Sequence, residues 1–432
     1  MANLKVGVSK RCVTPPIWVP YLTSSGNGTC APFDGVHDDL FARAMVFDNG
    51  DASLAILAVD AIGYDNAVLG SGRNFTSEVR HRIARATGLT ADAIMLSSTH
   101  AHSTPETICL TPFRETPGVA DWLEAHVIDL ANTVIDAWHK RESAHIWFGT
   151  VPVSGVARNR RVMLKDGSMN RHGPLPDGAE IADGVMDEDL AVVYVENAAE
   201  KSIGVLLNYT AHPVITMLLP PVSADFPGAA TACVEAALDG AVCLFTNGAA
   251  GNINSMCVTT SFDDAQKMGE VLGQAALHLI DRLKADGPIE DVALGVQSQV
   301  IVLDGCVCPD LEEAEAMVAQ NPSPGHLRML RLACKLAEGP IEAEVQVMHV
   351  GSIFWVSVPG EGFVETGLAL KASGASFVVG YANGWVGYLP IPAAYDQGGY
   401  EVGPGVWSRV AHGSAERVEG VGKALLNRVY FK

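Results

Sequence analysis

The chain has 432 residues, 48% of them hydrophobic and 18% charged, enough to bury a large core in one catalytic unit or in a few smaller domains. Its 29 Lys and Arg against 49 Asp and Glu give a formal charge of minus 20, which repels polyanions and excludes a nucleic-acid role. There is no apolar segment with a cleavage site at Met1 to Lys10 and no run of about 18 apolar residues, so membrane insertion is not expected and a cytoplasmic compartment is.

Strand-like runs rich in Val and Ile alternate with helix-like stretches, the pattern of an α/β fold. Residues 54–59 read as a buried strand ending at Asp60. Thr76 is placed to N-cap a helix that runs to Ala86 and stops near Gly88, and residues 93–96 form a short strand. A long helix is expected over 120–140, then strands at 145–153, 190–195, 203–207 and 242–245. Residues 263–283 read as helix, and the stretch 286–291, with its Gly-Pro pair, is the best boundary between sub-halves 1–287 and 288–432 of a single unit. Strands follow at 296–303, 344–350 and 354–358, and a helix is expected to begin near Glu361. Nine cysteines, an odd number without framework spacing, fit reduced thiols.

Four segments could carry chemistry. In SSTHAHSTPE, residues 97–106, His100 and His102 sit two apart after a strand, so in extended backbone both rings project to one side and offer one edge of a metal site. Such a pair also fits polar loop histidines bound to backbone. In NYTAHPV, residues 208–214, a buried strand runs into His212, and the following proline forces the chain out of helix. The Gly-rich turn NGAAGNIN, residues 247–254, follows a strand and could bring backbone N–H groups to a substrate oxygen; it lacks the spacing of a phosphate loop. In VPGEGFVET, residues 358–366, Glu361 follows a Pro-Gly turn. The Tyr-rich stretch 380–403 is irregular, as binding loops often are.

Taken in order, these segments resemble the neutral/alkaline ceramidase family, with its histidine motif, its strand ending in HP, its GD-SPN turn, its PGE segment and its Tyr-rich stretch. VGVSKRCVTPP near the N-terminus and GVHDDLFARAMVF, residues 35–47, are also similar to family segments. The resemblance implies mixed β-sheets with flanking helices and a Zn²⁺ ion held by His100, His212, Glu361 and Tyr388. It implies that His102 faces the substrate and that Arg160 binds it, with Gly251 and Tyr400 lining the same site. Asn254 stands where the family has a serine, and Asn252 where it has an aspartate; the family's signal peptide and immunoglobulin-like domain are not expected here.

The expected activity is hydrolysis of an amide (N-acyl) bond of a small soluble substrate by metal-activated water, with His102, Arg160 and Asn254 in catalytic positions. A lactone or ester hydrolase, a metal-dependent lyase or isomerase, and a non-catalytic metal- and ligand-binding protein are the alternatives. Asp60 and Asp225 are candidates to orient the histidines. Self-association is left open.

Overall fold

A computed structural model describes residues 4–24, 28–171 and 175–430. Eight strands form the main sheet in the order Val242–Asn247, Ser202–Tyr209, Asp189–Asn197, Glu142–Pro152, Lys5–Cys12, Phe41–Asp48, Ser53–Val59 and Ile94–Ser98. The pair at each edge is parallel and the inner pairs are antiparallel, so the sheet is mixed. A second sheet of four strands, Leu294–Leu303, Ile341–Val350, Ile353–Ser357 and Phe377–Val379, also ends in a parallel pair.

The strands are apolar on both faces because both faces are covered. In Phe41–Asp48, Ala42, Ala44 and Val46 join the core beneath helices Phe75–Thr87 and Val119–His139, whereas Met45 and Phe47 join Ile353, Trp355 and Phe377 of the second sheet. At the other end of the main sheet, Val205, Leu207 and Phe245 lie under helices Asp225–Ala237 and Phe262–Asp286, while Leu206 and Leu244 point to the second sheet. Val345, Val347 and Val356 turn outward from the second sheet onto Val418, Leu425 and Leu426 of the C-terminal helix Ser414–Tyr430. The result is four layers: helices, sheet, sheet, helix. Among the described residues no helix is long and apolar enough to cross a membrane.

Two element ends differ from the sequence expectation. Asn74, not Thr76, caps the first helix by accepting the Ser77 N–H, and the helix ends at Gly88 in left-handed backbone, φ 82°. Glu361 does not open a helix: Glu361–Gly362 pairs in parallel with Tyr388–Leu389, and the helix begins at Val364. Its Val364 N–H is satisfied from across the fold by the Asn252 side-chain oxygen at 2.8 Å, a cap that local sequence cannot announce.

His126, buried in the helix Val119–His139, bonds the Tyr64 hydroxyl at 2.7 Å and stacks on Trp122. Burial pushes its pKa down to about 4. The unfolded chain therefore takes up this proton first as pH falls, so the contribution is complete above about pH 6.5 and is lost between there and about pH 4. At pH 5 the loss through His126 should be about 2 kcal/mol, from about 1.36 kcal/mol per pKa unit. Urea midpoints at pH 7 and pH 5 for wild type and His126→Gln measure it; an equal acid loss in both proteins would contradict the assignment.

Candidate metal centre

The loops that follow the parallel edge strands converge. Ile94–Ser98 leads into His100 and His102, Ser202–Tyr209 into His212, Val242–Asn247 into the Gly-rich turn, and Ile353–Ser357 into Glu361. Asn247, fully buried, stitches three of these loops together. Its amide donates to Thr99 O at 3.0 Å and Ala211 O at 2.8 Å, and its oxygen accepts from the Ala211 N–H at 3.2 Å. Gly380 N–H in turn donates to Asn247 O at 2.9 Å, and Ser98 N–H to Tyr381 O at 3.2 Å, which brings in the Tyr-rich segment.

Three imidazoles and one carboxylate meet there. His100 Nε2 lies 3.1 Å from His212 Nε2 and 3.2 Å from His102 Nε2; Glu361 Oε2 lies 3.1 Å from His212 Nε2 and 3.6 Å from His100 Nε2. His100, His212 and Glu361 are buried, and His102 is half-buried. The His100–His102 spacing does not work through extended backbone as expected from sequence. His100 adopts φ 69°, in the left-handed region, and it is this turn that brings the two rings edge to face, 4.7 Å apart.

The hydrogen bonds on the far side of the rings fix their protonation. His100 Nδ1 meets Ile62 O and His212 Nδ1 meets Ala250 O, at 2.6 Å for the latter. A carbonyl can only accept, so both Nδ1 atoms carry the proton and both Nε2 atoms present lone pairs. Two lone pairs and a carboxylate oxygen thus face one another in a buried space, an arrangement that a bound cation satisfies. Four ligands on bonds of about 2.1 Å in a tetrahedron stand about 3.4 Å apart, and these donors stand 3.1–3.6 Å apart. The group His100, His102 and His212 can hold a metal ion.

Electrostatics agree. Burial pushes His212 down to about 4, and burial together with the neighbouring imidazoles holds His102 well below its ordinary value. Burial pushes Glu361 up, and positive charge beside it, on the neighbouring His100 and His212 rings or on a bound ion, is what holds it down as a carboxylate. The second carboxylate oxygen accepts from Trp385 Nε1 at 3.2 Å.

Most of the remaining residues singled out from sequence, Gly251 excepted, lie in the same cavity, about 430 Å³, whose walls include Leu22, Ile62, Ile108, Leu110, Met217 and Leu218. Arg160, Tyr388, Asn254 and Tyr400 all line it. The Tyr388 hydroxyl is 3.2 Å from Arg160 Nη2 and 3.4 Å from the Tyr400 hydroxyl. Arg160 also donates to Asn254 Oδ1 at 2.9 Å, to Gly251 O and to Glu401 Oε1 at 3.1 Å. Four of its five N–H groups are engaged within the protein, so a two-pronged grip on a substrate carboxylate is not available to it. Gly251 packs its backbone on Glu361: a Cβ at this position would lie 2.4 Å from Glu361 O.

Asp60 and Asp225 do not orient the histidines. Asp60 pairs with buried Arg43 at 2.8 Å and accepts the Phe41 N–H. Asp225 accepts from the N–H and hydroxyl of Thr216 and so braces the loop after His212. The orienting groups are the carbonyls of Ile62 and Ala250, which no side-chain pattern reveals.

The fold, two packed sheets with flanking helices, is neutral ceramidase-like. The chain matches the solved neutral ceramidase from Pseudomonas aeruginosa with a TM-score of 0.75 over 99% of its own length and 75% of that chain, at 17% identity. A ceramidase solved as a complex with C2 gives a TM-score of 0.74 over 100% of this chain and 76% of the other, at 16% identity. No protein-family model and no curated protein matches the chain by sequence.

Proposed function

We propose that this chain is a zinc-dependent hydrolase that cleaves an amide (N-acyl) bond of a small substrate. The observation that carries this reading is the cluster of lone pairs at His100 Nε2, His212 Nε2 and Glu361 Oε2, which calls for a cation inside a cavity of ligand size. His100, His212 and Glu361 would hold the ion, with Tyr388 as the fourth ligand; two imidazole nitrogens with two oxygens suit Zn²⁺. When bound, the ion supplies a water of lowered pKa and polarises the scissile carbonyl.

His102 stands on the cavity side of the cluster, half-buried and held neutral, ready to take a proton from the attacking water and return it to the leaving amine. Arg160 positions Tyr388 and Asn254, and its one remaining N–H can touch the substrate. Tyr400, 38% exposed, lies at the solvent side of the cavity. The cytoplasm is the proposed compartment, supported by nine cysteines that all stand unpaired.

Elemental analysis of the purified wild type beside His100→Ala and His212→Ala, with circular dichroism to confirm folding, tests the reading. About one zinc per chain in the wild type, lost in both variants, is expected, followed by turnover of short N-acyl amides. A folded wild type that takes up no metal after zinc is supplied would overturn it.

A further inference from the structure

Asn254 commits only one end of its side chain to the fold. It lies in the strand Ile253–Ser255, which pairs with Ala157–Asn159, and its Oδ1 is 2.9 Å from Arg160 Nη1. A guanidinium has only donors, so the atom that meets it is the oxygen and the amide nitrogen is turned the other way. Among the described residues Nδ2 has no hydrogen-bond partner, yet it is not sealed from solvent, and Asn254 forms part of the cavity wall. The nitrogen therefore opens into the cavity with both N–H bonds unspent.

Asn252, two residues earlier, is the contrast. Its Oδ1 accepts the Val364 N–H at 2.8 Å and its Nδ2 donates to Glu365 Oε2 at 3.0 Å, so both its ends serve the fold. Asn254 also stands next to the metal centre. His212 N–H donates to Ile253 O at 2.9 Å, and His212 and Asn254 form a parallel bridge. On the other side Arg160 joins Asn254 to the Tyr388 hydroxyl, 3.2 Å from Nη2. The side chain is thus tied to two of the proposed ligands, to one through backbone and to the other through Arg160.

Other donors near the site are spent or have no fixed direction. The N–H groups of Gly248, Ala250 and Gly251 donate to Tyr209 O, Gly248 O and Gly362 O at 3.1, 3.0 and 2.8 Å. The hydroxyls of Tyr388 and Tyr400 rotate and face each other at 3.4 Å. The Asn254 amide has its direction set by the Arg160 clamp, and a donor held in place stabilises developing charge without reorganising. An amide neither ionises nor attacks near neutral pH, so donation is the one chemical act open to it.

We propose that Asn254 is a catalytic residue whose Nδ2 donates to the acyl oxygen of the substrate and holds it more strongly as negative charge builds there. This deepens the metal-hydrolase reading and rests on it. The ligand class is a small acyl group whose carbonyl or carboxylate oxygen accepts a hydrogen bond.

Cobalt-loaded protein tests it without turnover. The visible bands of bound Co²⁺ are recorded for wild type, Asn254→Ala and Asn254→Asp while acetate, or separately imidazole, is titrated into each. Asn254→Asp keeps an oxygen for Arg160 and loses the amide donor. All three proteins should take up Co²⁺ alike. Asn254→Ala should bind acetate about 10-fold to 100-fold more weakly than wild type, the range for losing a hydrogen bond to a charged oxygen. Asn254→Asp should bind it at least as weakly, because a carboxylate then faces the anion. Imidazole brings a nitrogen to the ion and needs no donor, so neither variant should bind it more weakly. Equal acetate affinity in wild type and Asn254→Ala would overturn the assignment. An equal loss for imidazole, or folded variants without Co²⁺, would overturn it by making Asn254 a support of the metal ligands. Failure of both variants to fold would overturn it by leaving the side chain a structural part. A wild type that shows no Co²⁺ bands would remove the metal reading and this inference together.

Discussion

Glu361→Gln should give a protein that holds no metal yet unfolds later than the metal-free wild type. In the wild type, Glu361 Oε2 sits 3.1 Å from His212 Nε2 and 3.6 Å from His100 Nε2, and all three atoms are acceptors when no cation is present. An amide nitrogen in place of Oε2 supplies the missing protons, while the other oxygen keeps its bond from Trp385 Nε1. The metal-free variant should therefore be about 1 kcal/mol more stable than metal-free wild type. The same change removes the one anionic ligand, so zinc affinity should fall by about 10³-fold or more and activity with it. Urea unfolding of chelator-treated and zinc-loaded samples of both proteins reads the two effects separately. The order of stability should reverse on adding zinc. A metal-free variant less stable than metal-free wild type would mean that the carboxylate stabilises the fold by itself, and the case for a cation site would lose its main support.

This inversion of sign is the physical content of the site, and sequence gave access to only part of it. His212 and Glu361 stand out because each follows a strand at a place where Pro or Gly breaks the backbone, and His100 because it follows a strand two residues before His102; a strand end is where an α/β fold exposes side chains to a crevice. Their convergence depends on features that carry no such mark. The left-handed turn at His100, φ 69°, occurs at a residue type that sequence patterns do not flag for it. Asn247 is one more polar residue before a glycine until its three hydrogen bonds to Thr99 and Ala211 are seen. The carbonyls of Ile62 and Ala250, which set the imidazole tautomers, are invisible to any side-chain reading.

The fold shows the same division. Buried strands such as Ser53–Val59 and Ile353–Ser357 are apolar but for one terminal serine each and announce themselves. Lys5–Cys12 interleaves Lys5, Ser9, Lys10 and Arg11 among its apolar residues, and only its pairing with Phe41–Asp48 makes it a strand of the main sheet. Helix Asp225–Ala237 is rich in Ala and carries Pro227 in its first turn, so its periodicity is weak although Phe226, Ala230 and Val234 pack it firmly. Its N-terminal residue Asp225 sits at φ 54° and is tied to Thr216, a tertiary arrangement that fixes the helix start more than any local signal does.

Glu401→Ala should cost about 3–5 kcal/mol of stability, the usual price of leaving buried charge uncompensated. Glu401 is fully buried and bridges two buried arginines, with Oε1 3.1 Å from Arg160 Nε and Oε2 2.8 Å from Arg161 Nη1. Arg161 turns its Nη2 on Ala394 O, Gln397 Oε1 and Gly398 O, so it anchors the Tyr-rich segment, while Arg160 reaches Tyr388 and Asn254. One carboxylate thus ties the substrate side of the cavity to the loop that carries Tyr400. Because the triad is out of water, 0.5 M salt should barely change the loss, in contrast to an exposed pair such as Lys165–Glu180, which should contribute little that urea titration can detect. The metal ligands are untouched, so zinc content below the unfolding temperature should stay near that of the wild type. A loss under about 1 kcal/mol would show that water enters and solvates the arginines, and the rigidity ascribed to Tyr388 through Arg160 would have to come from the Glu361–Tyr388 strand pairing instead.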